Sequence, residues 1–404
     1  MPINKQHFTP FIPSDAALNQ TELPNKAVSL MTQSARLALL PLETRQTIIR
    51  HMAIINSYYS NLIEGNRIEP CEIREAQRGD FSTDAAKRDL QLESLAHIYV
   101  QQWLEQRLAK NNYDINELFS IECVQSIHKE FYQHVPESLR TIKNDKDEVV
   151  GEIIPGQWRN RDVKVGKHIA APAEDLPALM PAFIEAYHPN NYRGDKKVIA
   201  VLCAHHRFAW IHPFTDGNGR VARLFTDAAL KVIGIESAGI WCLSRGLARS
   251  AVRYKQSLEL ADYPRQGDLD GRGSLSEKNL LAFCDFMLDT ALDQVDYISK
   301  LLNLESMHQR IKSYIQARND GRVEGMGKIK DIAALILYNA FVAGSLERAT
   351  AIELTGMPER SALRLIAQLK QEGLLADTSS RSPLYWQIPE HAESWYFPQL
   401  APMV

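Results

Sequence analysis

The stretch His212-Pro213-Phe214-Thr215-Asp216-Gly217-Asn218-Gly219-Arg220-Val221-Ala222-Arg223 is the most informative part of the chain. Pro213 lacks an N–H and cannot continue the helix expected over 196–211, so that helix stops there. A second helix is expected from Arg220 to Ile233. Between them Gly217 and Gly219 free the backbone to curl, and curled N–H groups leading into a helix N-terminus make an anion cradle. Arg220 and Arg223 stand three apart, share one helix face and can both point at phosphate. Asp216 offers a hard oxygen to Mg²⁺, the usual companion of a nucleoside triphosphate. His212 titrates near neutrality and suits removal of a hydroxyl proton. A plain helix–helix turn, with its glycines, Asp and Asn serving geometry alone, is the simpler reading of Gly-Asn-Gly by itself, but not of all twelve residues.

Outward from this loop the pattern is helical. Ile48, Met52, Ile55, Tyr59, Leu62 and Ile63 recur at steps of three and four, and Gly65 is placed to end that helix. Amphipathic segments are expected at 85–108, at 115–134 (opened by Asp114), and at 175–187, 248–260 and 278–303. The first forty or so residues, rich in Pro, Asn and Thr, are expected to wrap the surface. Residues 143–172 differ, with Gly151, Pro155, Gly156 and Gly166 interrupting short β-prone pieces, which reads as a hairpin excursion. The Gly-rich run 319–327 reads as a linker. Behind it, helices at 329–343, 346–354 and 360–372 and two strand-like pieces around Ser379–Pro383 describe a winged helix-turn-helix. No internal repeat is found.

Length and composition narrow the classes. The chain has 404 residues, 45% hydrophobic and 24% charged, as in ordinary globular proteins, and its length favours two or three domains. Its 46 basic and 49 acidic residues give a net charge of −3, which excludes coating nucleic acid or an anionic membrane through bulk charge. Five scattered cysteines with no CxxC pair argue against a disulfide framework or a structural zinc site. No signal peptide and no membrane-length apolar run is seen, so a soluble cytoplasmic protein without a membrane partner is expected.

His-Pro-Phe-x-Asp-Gly-Asn-Gly-Arg-x-x-Arg resembles the active-site signature of the Fic family, protein adenylyltransferases with an all-helical core. Every position is filled, with Thr215 at the variable place, and Ala204, His205 and Phe208 also fit. The resemblance covers roughly residues 40 to 290. It implies that His212 deprotonates a Tyr, Thr or Ser hydroxyl of a target protein, which attacks the α-phosphate of ATP. Phe214 would anchor the loop, and Asp216 would hold Mg²⁺. Asn218 and the neighbouring backbone of Gly217 and Gly219 would grip the α- and β-phosphates, Arg220 would neutralise the leaving diphosphate, and Arg223 would bind the γ-phosphate. Relatives that phosphorylate carry Lys at the Gly219 place, so Gly219 favours transfer of the monophosphate.

Two further pieces are similar to family features. Ser60-Asn61-Leu62-Ile63-Glu64-Gly65 resembles the inhibitory motif, which implies that Glu64 pairs with Arg223 and fills space the γ-phosphate needs; the inhibitory helix is expected at about 42–65. A carboxylate in a last helical turn is otherwise mildly disfavoured by the helix dipole and could simply be solvated. Residues 161–169 resemble the flap hairpin, along which a target segment would add as a strand. Val165, Gly166, Lys167 and His168 would touch the nucleotide there, and Tyr254 would border the base pocket.

The expected architecture is therefore mainly α: an N-terminal segment over 1–114, a Fic core with its hairpin flap over 115–318, and a winged helix over 328–404. Acidic side chains slightly outnumber basic ones in the last part, which is poor for a DNA binder. DNA is thus not favoured there, although Arg360 and Arg364 share a face of the expected recognition helix; protein docking or self-association fits better. The rival readings are a DNA-binding regulator whose Fic fold senses nucleotide, a resting activity that removes AMP, and transfer of UMP, GMP or phosphocholine. Asp268–Glu277 superficially resembles a calcium loop with the wrong spacing and is expected to cap the next helix. The adjacent His205 and His206 face apart on a helix and are expected to pack rather than share a metal.

Overall fold

The computed structural model describes residues 8–143, 148–235 and 238–400. They fold as helices with three two-stranded antiparallel hairpins. No helix among the described residues is long and apolar enough to cross a membrane. The chain forms two compact units, each drawn from separated stretches. One gathers residues up to Ser34, Asn56–Ala238 and Cys242–Gln294; the other gathers Ala35–Ile55, Gly239–Trp241 and Val295 onward.

The longer helices of the first unit run in this order: α1 (Leu23–Leu37), α2 (Leu42–Ile63), α3 (Ala85–Lys110), α4 (Ile121–Tyr132), α5 (Leu176–Tyr187), α6 (Asp195–Ile211), α7 (Asn218–Val232), α8 (Ala251–Ala261) and α9 (Glu277–Leu302). Helices α1, α2 and α9 each have residues in both units. Helices α6 and α7 pack most closely, and α4, α5 and α3 enclose them. Phe183, Phe208, Phe214 and Phe225 are all buried there, with rings 5.8 to 6.4 Å apart in contacting pairs. Between α4 and α5 lie two hairpins. Strands β1 (Thr141–Lys143) and β2 (Val149–Glu152) pair with a register shift, and β3 (Lys164–Val165) pairs with β4 (His168–Ile169) across Gly166, at φ +59°.

Several boundaries differ from the expected ones, each for a local reason. The first forty residues do not merely wrap the surface: α1 buries Leu23, Ala27, Leu30 and Leu37, a helical spacing hidden among polar residues. The segment expected over 115–134 breaks at Phe119. Ser120 then starts α4 afresh, its hydroxyl accepting from the Cys123 N–H at 3.1 Å. Helix α8 begins at Ala251, after a separate short helix over Leu243–Arg249. The helix expected from Arg220 starts two residues earlier, so Asn218 and Gly219 already lie in its first turn.

In the second unit α10 (Leu304–Asn319) had not been expected; Asn303 caps it by accepting from Glu305 and Ser306 N–H. Then come α11 (Ala333–Ala343), α12 (Arg348–Thr355), α13 (Glu359–Gln371) and the pair β5 (Leu375–Ala376) and β6 (Tyr385–Trp386). A last helix, α14 (Glu390–Tyr396), packs on α10 and had also not been foreseen. The core of this unit holds Ile336, Leu337, Phe341, Ile366, Leu369 and Trp386.

Candidate active site

Helix α6 ends at His212, which takes the left-handed conformation at φ 51°, ψ 62°. A non-glycine residue in that region is uncommon, and such strain persists only where the surroundings hold it. It lifts the imidazole out of the helix. Nδ1 lies 3.3 Å from the Ala209 carbonyl; as the donor there, it leaves Nε2 as the nitrogen with the free lone pair. Burial pushes the His212 pKa down to about 4, so the ring is neutral at physiological pH and able to take a proton.

The loop then closes on itself. Asn218 is buried; its side-chain oxygen accepts from the Phe214 N–H at 2.9 Å and its amide donates to the Phe214 carbonyl at 2.8 Å. Its side chain is therefore committed to the loop, and what it offers an anion is its backbone N–H. Gly217 stands at φ +77° against the Tyr132 ring, where a Cβ would be 2.6 Å from a ring carbon. Only glycine satisfies both the angle and that approach. Helix α7 starts here, with unsatisfied N–H groups at its first turn.

Both arginines are buried and held. The Arg220 guanidinium donates to Glu93 Oε1 at 2.6 Å and to Asn61 Oδ1 at 3.2 Å, and lies 5.1 Å from the centre of the Phe131 ring. Burial opposes its charge, but Glu93 and other anionic neighbours outweigh that and raise its pKa. Arg223 donates through Nε to the Ser60 hydroxyl at 2.9 Å, and through Nη2 to the Ser60 carbonyl at 2.9 Å and Glu64 Oε1 at 2.7 Å. Burial pushes the Glu64 carboxyl up, but Arg223 and Arg220 overcome it and hold the pKa below the usual carboxylate range. The end of α2 thus meets the start of α7. Gly65, at φ +99°, turns the chain away, and the Asn66 N–H returns to the Asn61 carbonyl at 3.0 Å.

Asp216 is exposed at the rim, and one of its oxygens accepts from the Tyr132 hydroxyl at 3.0 Å. Among the described residues no group of three His, Cys, Asp or Glu gathers into a protein-only metal cage. A single exposed carboxylate beside the open N–H groups of a helix N-terminus is a donor set that Mg²⁺, which keeps several waters and needs few protein ligands, would fit.

Val165 and Gly166 are exposed on the hairpin, and Lys167 pairs with Glu259 at 2.9 Å. His168 Nε2 lies 2.8 Å from the Trp210 carbonyl and Nδ1 lies 3.2 Å from Asp262, which tie the hairpin to the end of α6 and to α8. Tyr254 is buried, 2.7 Å from His205 Nε2, whose Nδ1 lies 2.8 Å from Thr226. Thr226 already donates to the Ala222 carbonyl, so His205 donates to Thr226 and accepts from Tyr254. Tyr254 is therefore a hydrogen-bonded core residue behind Arg223. His206 meets Asp262 and the Leu258 carbonyl instead, so the two histidines do face apart. Asp270, in the stretch resembling a calcium loop, accepts from the Gln266 and Lys278 N–H groups.

Sequence reading missed four residues that build this site: Glu93, His128, Tyr132 and Arg159. Only Glu93 left a trace, as a carboxylate on the stripe of α3 that also buries His97 and Val100. His128 Nδ1 accepts from the Gly156 N–H at 2.9 Å, its Nε2 lies 3.3 Å from the Asp216 carbonyl, and its ring stacks on Phe214 at 3.9 Å.

Comparison with known proteins places this site in a family context. Residues 118–230 match the sequence model of the Fic/DOC family. The chain is 27% identical over 235 residues to the protein adenylyltransferase Fic of Drosophila virilis, covering 54% of this chain and 42% of that protein. It is 31% identical over 146 residues to the protein of the same name from Drosophila erecta, covering 32% and 28%. The chain thus spans less than half the length of these curated relatives. Among solved structures, a Fic family protein of Desulfovibrio desulfuricans aligns over 91% of this chain and 96% of its own, at a TM-score of 0.53 and 17% identity. Fic-1 of C. elegans aligns over 70% and 73%, at 0.52 and 15%. These last two likenesses speak for the fold.

Proposed function

We propose, from the premise that residues 118–230 form a Fic domain, that this protein transfers AMP from ATP to a Tyr, Thr or Ser hydroxyl of a target protein, and to itself. The observation that carries this reading is the convergence on one helix N-terminus of a neutral imidazole, an exposed carboxylate and two buried arginines. His212 Nε2 takes the hydroxyl proton as the oxygen bonds to the α-phosphorus, the α–β bridging bond breaks, and pyrophosphate leaves. The N–H groups of Gly217, Asn218 and Gly219 line the phosphates, with Arg220 and Arg223 balancing charge on the leaving group. Mg²⁺ at Asp216 supplies further charge neutralisation when bound. The exposed apolar Val165 and Ile169 on the β3–β4 hairpin support its use as the target's docking strand.

In this reading Glu64 is a brake, because its pairing with Arg223 uses the guanidinium that the γ-phosphate needs. Intact-mass measurement after incubation with Mg·ATP tests both parts. Glu64→Gly is expected to label at least about tenfold faster than the parent, equivalent to ~1.4 kcal/mol, and the Glu64→Gly/His212→Ala double variant to stay unlabelled. An adduct of another mass would assign another transferred group; none at all would sink the reading. The same Glu64–Arg223 pair favours AMP removal as the resting activity, tested by supplying labelled protein to the parent chain. Residues 328–404 are read as a winged helix used for protein docking or self-association. Arg348 and Lys370 both pair with Asp377, which supports that use over phosphate binding. Five free thiols support a reducing cytoplasm.

A further inference from the structure

In the segment leading from β2 to the β3–β4 hairpin, which His128 and the Trp158–Phe214 ring contact also hold to the catalytic loop, one side chain reaches both the loop and the hairpin. Arg159 is buried, with no exposure of its side chain. Its Nε donates to the His212 carbonyl at 2.8 Å, its Nη1 to the Arg161 carbonyl at 2.9 Å, and its Nη2 to the Ile211 carbonyl at 3.3 Å and to the Ala171 carbonyl. Its own backbone N–H donates to the Pro213 carbonyl at 3.0 Å. Three consecutive carbonyls of the catalytic turn, 211 to 213, are thus bound by one residue. The remaining two acceptors stand on either side of the hairpin, before β3 and after β4. A guanidinium presents five donors in a fixed planar fork, and no other side chain can bridge so many carbonyls in set directions.

We infer that Arg159 is a positioning residue that holds His212 in its left-handed conformation and locks it in register with the hairpin, so that base and docked target strand move as one part. This rests on the adenylyltransfer reading for its chemistry. Two observations meet in it. His212 has a backbone conformation that a non-glycine residue rarely keeps unaided, and the side chain of Arg159, which donates to its carbonyl, also donates to the two ends of the hairpin. Displacing a catalytic group by about 1 Å costs on the order of 100-fold in rate, so a loosened turn is costly although Arg159 touches no substrate. Arg159 also adds to the positive surroundings that, after burial, keep the His212 imidazole neutral.

The test uses the full chain carrying Glu64→Gly, with Arg159→Lys and Arg159→Gln each added. Labelling rate, Mg·ATP affinity by titration calorimetry, thermal unfolding and the His212 pKa by NMR are read on every protein. Expected is a loss of about 100-fold in labelling rate for both variants, the order of magnitude for a misplaced group, with Mg·ATP affinity within about threefold and a folded protein. A higher His212 pKa in Arg159→Gln than in Arg159→Lys is also expected, because only Lys keeps the cation. Labelling at the rate of Glu64→Gly alone in either variant overturns the inference. So does a loss that tracks loss of ATP binding or of folding, which would make Arg159 a packing residue. If Glu64→Gly itself takes no adduct, the adenylyltransfer reading fails first, and the NMR titration still reports whether Arg159 governs His212.

Discussion

Gly219 and Glu64 are matched to each other, since a Cβ on residue 219 would collide with Glu64 Oε1 and stand 3.1 Å from Arg223 Nη1. The Glu64–Arg223 pair as it stands therefore leaves no room for a Cβ at that place, and a larger residue there would have to push the Glu64 carboxylate aside. His212 carries a second expectation at this scale. Its burial-depressed pKa of about 4 keeps the ring neutral well below the ordinary histidine value near 6.5. Labelling by Glu64→Gly under saturating Mg·ATP is accordingly expected to stay level from pH 8 down to about pH 5.5, falling only as pH approaches the depressed value. A rate–pH midpoint near 6.5 would show an unshifted imidazole and contradict the depressed value.

At the scale of elements, the end of α2 and the start of α7 are joined by polar rather than apolar contacts. Ser60, Asn61 and Glu64 serve the two arginines there, while Ser57, one turn earlier, donates to the Ser94 carbonyl of α3 at 2.7 Å. A helix expected to bury one apolar stripe thus buries its polar side too, and each of these polar groups has a partner. Glu93 on α3 completes the arrangement, pairing with Arg220 while its other oxygen accepts from Asn66 at 2.8 Å. Removing one member of a buried ion pair strands the other charge. Glu93→Ala is expected to lower stability by about 3 kcal/mol, read from the urea midpoint at unchanged slope. A change under about 1 kcal/mol would mean that water reaches Arg220 and replaces the lost carboxylate.

For the whole molecule, buried neutral imidazoles set the response to acid. His97, His128 and His205 have pKa values pushed down by burial to about 3, and His212 to about 4. Between those values and 6.5 the unfolded chain binds protons that the folded chain refuses, so stability falls with pH through that window. Glu64, held below its ordinary value, adds a loss in the same direction at the acid end. Asp227 runs the other way, because burial raises its carboxyl to about 7 and its contribution is lost as pH rises. The four histidines and Glu64 outnumber Asp227, so the thermal midpoint is expected to fall steadily from pH 6.5 to pH 4; a level midpoint over that range would count against the depressed histidines.

Much of the site was legible because its chemistry is contiguous. Twelve residues from His212 to Arg223 carry the base, the carboxylate, the curling glycines and both arginines, and local sterics at Pro213 and Gly217 dictate the turn that presents them. The Ser60–Gly65 motif was equally local, with a helix end readable from its glycine. What surrounds these pieces was not readable: Glu93 lies 127 residues from Arg220, Tyr132 lies 84 from Asp216, and Arg159 reaches the His212 carbonyl across 53. Which carboxylate, phenol or guanidinium meets a loop depends on how helices pack; the place of Glu93 on the apolar stripe of α3 hints at burial but names no partner. Backbone preference is a property of a few neighbouring residues and is written along the chain; the partner of a buried charge is chosen by the close-packed interior, and only the folded chain decides it.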